Sequence, residues 1–485
     1  MGGGALRPSI AAAVCAMLAA GPATAQPQTP TARERELEDL VRTLNQRLEH
    51  LEQRVVELES GKADRQTEAR VQDLEQSVQQ IREEPPAAID PQRWAKMEKW
   101  FEDSHTLRPF WKDGLRFESA DGDFKLRIGG RIQTDFAYFC EDGDVERQIG
   151  EDFEDDAEFR RARLYVSGEI YENTFFKAQY DFAGGDAAFK DVYLGLDNVP
   201  GLQRIVVGQF KEPFSLEELT SSNHVTFMER SLANTFAPAR NIGVMVNGTK
   251  LDEHMTWAVG VFRQTDDDFG EAESGRAYDV TGRVTGLPIY EDDGRQLLHL
   301  GLAYAYRNYE DDEARFRSRP ESHLAPNLAD TGTFPADFGN FVGAEAAWVC
   351  GPFSLQSEWI QAFIEGSRRR TGDPHLGGGY VQASYFLTGE HRPYKRSDGV
   401  FDNVKPKSNF SFEEGGGAGA WELAVRYSYL DLNDAGVRGG LLRDLTVGLN
   451  WYLNPSLRLA WNYVLADPGD GGDINIFQWR FQVAF

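Results

Sequence analysis

Residues 474–485 read INIFQWRFQVAF. In an extended chain successive side chains point to opposite faces, so Phe477, Trp479, Phe481, Val483 and Phe485 share one face and Gln478, Arg480 and Gln482 the other. An apolar, aromatic-ended row opposite a polar row calls for lipid outside and water inside, as in an outer-membrane barrel. A half-buried strand of a soluble sandwich also alternates. Here, however, the pattern recurs down the chain in segments of roughly 10 residues, the length expected of a membrane-barrel strand. The terminal aromatic, Phe485, is the feature that barrel-assembly machinery is expected to read as an insertion signal.

Composition agrees with this reading. The 485 residues are 41% hydrophobic and 26% charged, with a net charge of −26 and a mean hydropathy of −0.49. Only every second residue of a barrel strand meets lipid, so mean hydropathy stays low and no long apolar run appears. Beyond the amino-terminal leader no uninterrupted apolar stretch approaches the ~18 residues that a spanning helix needs. Backbone groups in lipid must all be paired, which leaves a closed barrel as the way to cross.

The leader has a positive start at Arg7, an apolar centre over 10–20, and Ala23-Thr24-Ala25 ahead of Gln26. Residues 1–25 therefore read as a signal peptide. Cys15 lies within it, so an exported chain keeps Cys140 and Cys350, enough for one long-range disulfide but not for a disulfide framework. No metal-ligand spacing is present, and neither a cofactor nor a nucleic-acid partner is expected.

Within 26–84, residues 33–82 are a different material, poor in aromatics and rich in Arg, Glu and Gln. Leu37, Val41, Leu44, Leu48, Leu51, Val55 and Leu58 recur at alternating spacings of four and three, a coiled-coil heptad placed in the periplasm. Gly61 interrupts it, and Val71, Leu74, Val78 and Ile81 resume in another phase. A single amphipathic helix lying on another surface is the alternative, although a chain this polar needs partner helices to bury its stripe. Pro85 and Pro86 end the helix, and 85–122 reads as a linker to the first strand.

That strand, FKLRIGGRIQTDFAYF from Phe124, sets Phe124, Leu126, Ile128, Ile132, Phe136 and Tyr138 against Lys125, Arg127, Arg131, Gln133 and Asp135. The same rule gives further strands near 158–171, 174–182, 188–197, 203–211, 241–250, 255–265, 276–287, 297–309, 340–350, 353–365, 376–388, 418–431, 443–453, 457–466 and 474–485. The expected fold is all-β, a transmembrane antiparallel barrel of sixteen strands over 123–485, with short periplasmic turns and longer outer loops. Residues 389–417 fall on the short-turn side yet are long, which implies an elaborated turn or an unread strand pair.

A barrel of about sixteen strands is wide enough for an aqueous channel. Its predicted inward residues form a basic path that includes Lys125, Arg127, Arg163, Lys177, Arg426 and Arg458. For any one of them the bland reading is a wall residue paired with a neighbour such as Asp135, Glu169 or Asp181. Acidic runs cluster instead in loops, at 141–144, 151–156 and 266–268, as solvated tips or as cation sites bridging the anionic lipid and lipopolysaccharide of the outer leaflet. Charges there are screened over about 8–10 Å, so local lumen charge sets selectivity, and a ring of Arg and Lys favours anions.

Residues 212–240, EPFSLEELTSSNHVTFMERSLANTFAPAR, are too apolar and hydroxyl-rich for a simple outer cap and read as an inward-folded constriction loop. Ser221 and Ser222 are its candidate hydrogen-bond donors to an anion and Arg230 its charge. A loop packed on the wall or between subunits is the alternative.

Together FKLRIGGRIQTD, FRRARLYVSGEI, DVYLGL, VGQFKEPFSLE, SSN with TFMERS, GYVQASYFLTGE and the last three strands resemble the phosphate-selective porins of the O and P type, over nearly the whole barrel. The resemblance implies a homotrimeric sixteen-stranded channel with a basic path from the mouth and a central anion site. Motif by motif, that site would take Arg131, Arg160, Arg161, Ser221, Ser222 and Arg230. Arg160 and Arg161 fall in opposite strand phases, so one needs a strand end or bulge to reach the lumen. Where the family pattern carries a lysine three residues before the serine pair, this chain has Glu218, with Glu217 beside it. An unpaired carboxylate there opposes an anion 4 Å away by roughly 4 kcal/mol at an effective dielectric near 20, so both glutamates are read as selectivity modulators unless an arginine neutralises them.

The function expected is passive diffusion of anions, phosphate or a related oxyanion, through the outer membrane. A general or organic-acid-selective porin of the same architecture, and an envelope protein whose coiled coil tethers the cell wall, are the alternatives. No nucleophile elbow or Ser-His-carboxylate spacing suggests an enzyme.

Overall fold

The computed structural model describes residues 106–485 except 142–152, 172, 266–277, 310–311, 367–371 and 470–471. The leader and coiled coil lie outside the described residues. Sixteen strands follow the alternating pattern of the sequence: β1 Phe124–Glu141, β2 Asp156–Ile170, β3 Thr174–Asp181, β4 Ala188–Val199, β5 Gln203–Lys211, β6 Arg240–Lys250, β7 Met255–Arg263 and β8 Asp279–Glu291; then β9 Gln296–Asn308, β10 Phe338–Cys350, β11 Phe353–Glu365, β12 His375–Phe386, β13 Ala420–Asp434, β14 Val437–Asn454, β15 Leu457–Asp467 and β16 Ile474–Ala484. Each pairs antiparallel with the next, and β16 pairs with β1 to close the barrel. Ile132, Leu194, Leu302, Trp359, Val425 and Phe481 stand exposed on the outer face, where lipid takes the place of a core.

The stretch 85–122, expected as a linker, is more structured where it is described. Leu107–Trp111 and Leu115–Ser119 form a hairpin, and its second strand pairs with residues 125–128 of β1. It therefore occupies the edge of β1 that β16 leaves free. At the join Gly130 N–H donates to Phe485 O at 2.7 Å, and Phe485 N–H donates to Gly130 O at 3.0 Å. A Cβ on Gly130 would collide with Arg163 O and the Phe485 ring, so glycine is what lets the chain end seat there.

Among the described residues three connections fold inward. The loop 212–239 contains a helical turn, Leu216–Leu219, and a 3-10 turn, Leu232–Phe236. Phe214, Leu232 and Phe236 bury against Phe341, Ile360, Ile364 and Leu376 of the wall and against Phe316 and Phe334 of the loop 309–337. On β11 the inner row accordingly changes from Ser354, Gln356 and Glu358 to Ile360, Ala362 and Ile364.

The long segment on the short-turn side, 387–419, is an elaborated turn that enters the barrel. Its Tyr394–Lys395 and Val400–Phe401 pair as a two-residue ladder, and Tyr394 and Phe401 bury against Leu216, Leu297 and Val349. With β9–β13 covered in this way, Arg131, Lys177, Asp191, Arg204 and Arg240, partly exposed on the inner face, come from β1–β6. Cys140 is the penultimate residue of β1, on the outer side, and Cys350 ends β10 at a short turn; both are free thiols, so the disulfide allowed by the sequence does not form.

Candidate functional site

The site is built where the 212–239 loop meets β1 and β2. The β1–β2 register shifts between Gln133 and Thr134: Gln133 faces Arg161 while Thr134 faces Phe159. Arg160 is thus the extra residue of a bulge, which bends the strand locally and re-aims a side chain. Both neighbouring arginines consequently reach inward. Arg160 makes a bidentate pair with Glu229 of the loop at 2.9 and 3.0 Å. Arg161 donates to Gln133 Oε1 at 2.8 Å, lies 3.9 Å from Glu229, and keeps a buried Nε without a partner.

Arg131 Nη1 donates to Ser222 Oγ at 2.6 Å, and Gln133 Nε2 donates to Ser222 O at 3.2 Å. Ser222, Gln133, Arg131 and Arg161 are thereby brought into one cluster. Among the described residues no carboxylate forms an ion pair with Arg131, unlike the other candidate arginines. Ser221 serves the loop itself: its carbonyl accepts from His224 and Val225 N–H, and its Oγ accepts from Asn223 N–H at 3.3 Å.

Arg230 stands apart from that cluster. Its guanidinium lies 3.1 Å from Glu218 and donates to the carbonyls of Glu217, Glu218 and Thr220. Lys211, at the end of β5, lies 3.1 Å from the other Glu218 oxygen. Burial would raise the Glu218 carboxyl, but Arg230 and Lys211 outweigh it and hold the group at about 2. Glu217 is tied too, accepting from Ser231 N–H and Oγ–H and from Arg426 Nη1 at 3.0 Å. Neither glutamate is a lone charge in the bore.

The predicted basic path divides by partner. Lys125 pairs with Glu169, Arg163 with Asp181 and Lys177 with Asp191, each at 2.6 Å. Arg127 donates to Asp113 O and lies 5.3 Å from the Tyr165 ring centre. Arg426 and Arg458 are not path residues: Arg426 is fully buried between Glu217 and Glu321, and Arg458 donates to Val225 O and Thr226 O. Both staple loops to the wall, because carbonyls and carboxylates buried there need donors.

Sequence reasoning missed Glu229, which also receives Arg480 at 2.7 Å, and Glu358, whose carboxylate accepts from Leu216 N–H at 2.9 Å and Glu217 N–H at 2.8 Å. The Glu229 signal was its position inside the TFMERS segment; Glu358 sits on the polar face of β11 with no local sign of a role.

A family model described as phosphate-selective porin O and P matches residues 126–485, the whole barrel from its first strand. The chain belongs to this family. It is an outer-membrane porin, and its barrel lies in the outer membrane. Porin O of Pseudomonas aeruginosa is 29% identical over 426 residues, 77% of this chain and 91% of that protein. An uncharacterized protein of Caulobacter vibrioides is 31% identical over 374 residues, 74% of this chain and 71% of its own length. Among solved structures, the outer membrane channel DcaP of Acinetobacter baumannii aligns with a TM-score of 0.46 at 15% identity, covering 76% of this porin and 99% of that chain.

Proposed function

We propose that this porin is a diffusion channel that prefers anions, with phosphate or a related oxyanion as its solute at the constriction. One observation carries the reading: Arg131 meets Ser222 without a carboxylate, beside an Arg161 whose Nε has no protein partner. A cation held in the bore without a counter-ion is a place where an anion exchanges water for charge-assisted hydrogen bonds. The tying of Glu218 to Lys211 and Arg230 removes the main objection to an anion there. Chemistry is not part of the reading; transport is passive and no cofactor enters it.

Arg160 and Arg230 contribute differently from Arg131 and Arg161 in this proposal. Their charges are met by Glu229 and Glu218, so they hold the loop and set its potential rather than grip the solute. The chain is further proposed to be exported by residues 1–25, to assemble as a homotrimer through the barrel machinery, and to carry 26–84 as a periplasmic coiled coil.

The test is the reversal potential of the purified porin in a planar bilayer under a chloride gradient, repeated with millimolar phosphate. Anion preference with a current that falls on adding phosphate supports the proposal. An unselective or cation-preferring pore that ignores phosphate leaves the general or organic-acid porin. Lost envelope integrity with unchanged conductance, after deletion of 33–82, would instead favour the tether.

A further inference from the structure

The inner wall of a porin is expected to be polar, yet β3, β4, β5 and β7 place Phe175, Tyr193, Phe210 and Phe262 in a continuous row on it. Their ring centres are 6.1, 6.0 and 5.5 Å apart in sequence along the row, each pair edge to face. Glycines make room for it: a Cβ on Gly195 would strike Phe175, and one on Gly243 or Gly260 would strike Phe262. Phe210 and Phe262 are buried, whereas Phe175 and Tyr193 are only partly buried.

These two rings line a cavity of about 270 Å³, bounded by Pro213 and Leu219 of the constriction loop and by Ser397 and Asp398 of the inward turn. Two sets of cations adjoin it, each sharing a single carboxylate. Lys177 and Arg240 both approach Asp191 at 2.6 Å, and Lys211 and Arg230 both approach Glu218 at 3.1 Å. Lys211 and Arg240 are cross-strand partners, so the two sets meet directly beside the Phe210 ring. Lys177, Arg240, Lys211 and Arg230 thus stand as four cations around Asp191 and Glu218, with Asp398 a third carboxylate in the lining.

An inorganic oxyanion gains nothing from aromatic faces, whereas an anion with a flat apolar body gains from the rings and the cations together. We infer that this chamber, on the periplasmic side of the constriction, is a second binding site, for an organic carboxylate with an aromatic body. The carboxylate faces the Lys211–Arg240 junction and the ring rests on Tyr193 and Phe175. This site rests only on the chain being a porin, not on phosphate binding at Arg131.

The experiment is current block of the full-length porin in planar bilayers by benzoate, by acetate and by inorganic phosphate. Benzoate is expected to block at concentrations about tenfold lower than acetate, the size of an added aromatic contact. Tyr193→Ser and, separately, Phe175→Ser are expected to remove that difference. Equal block by benzoate and acetate in the unaltered porin overturns the site, as does a difference that survives in both variants. Phosphate without effect on the unaltered porin counts against the oxyanion reading alone.

Discussion

Glu218 and Arg230 are twelve positions apart in one loop and meet at 3.1 Å, with Lys211 closing the other side of the carboxylate. The Glu218 position therefore presents no net negative charge, and the ammonium beside it comes from Lys211 of β5. Glu218→Gln releases both cations. The expected result is stronger phosphate block, by about tenfold or 1.4 kcal/mol, together with a larger anion-to-cation permeability ratio. Unchanged block in this variant would place the solute away from the loop.

The same pair predicts the acid limit of the loop. Glu218 is held at about 2 against an ordinary 4.5. A carboxyl depressed in the folded state stabilises fully above its unfolded value and loses that contribution as pH falls through the folded one. Single-channel current and noise are therefore expected to hold steady from neutral pH down to about 4.5, and to change on acidification toward about 2 as the tether is protonated. Glu218→Gln lacks that transition, which a pH series on both proteins reads directly.

Removing arginines separates grip from scaffold. Arg131→Ala deletes a cation that no carboxylate balances, so block by phosphate weakens by about 1.5–3 kcal/mol, tenfold or more, with little loss of stability. Arg160→Ala removes one positive charge from the bore and leaves Glu229 to Arg480 at 2.7 Å and Arg161 at 3.9 Å, so anion preference falls and Arg160→Ala/Glu229→Gln restores it. Arg458→Ala takes the guanidinium donor from the Val225 carbonyl, leaves Thr226 O with Asn450 Nδ2 at 2.9 Å, and lowers thermal stability by about 1–3 kcal/mol, with the smaller change in selectivity. Block titrations paired with thermal unfolding distinguish the three.

The sixteen strands were legible because the lipid-facing row stays apolar from end to end, whatever happens inside. The inner row was less so. On β11 it turns from Gln356 and Glu358 to Ile360 and Ile364 because loops, not water, cover that end. The conflict between Arg160 and Arg161 was visible as a phase error, and the bulge at Gln133/Thr134 resolves it. The acids proposed as wall partners, Asp135, Glu169 and Asp181, each hold a basic residue: Arg480, Lys125 and Arg163. What had no sequence signal was the fate of 387–419. Tyr394 and Phe401 are buried by Leu216, Leu297 and Val349 of other elements, and no local period records that contact.

The inward turn is held by one such contact that can be dissected. His299, fully buried on β9, bonds through Nδ1 to Tyr394 OH at 2.6 Å and through Nε2 to Glu345 at 3.2 Å. Arg283 independently fixes the turn by donating to Gly399 O at 2.9 Å. Loss of the His299–Tyr394 bond alone should cost about 1–3 kcal/mol, so Tyr394→Phe leaves the turn docked most of the time and shows as brief steps to a higher conductance. His299→Leu shows the same steps. Because the two changes remove one shared interaction, the double variant is expected to open little more often than either single one. Strictly additive opening in single-channel records would mean that the two side chains hold the turn through separate contacts.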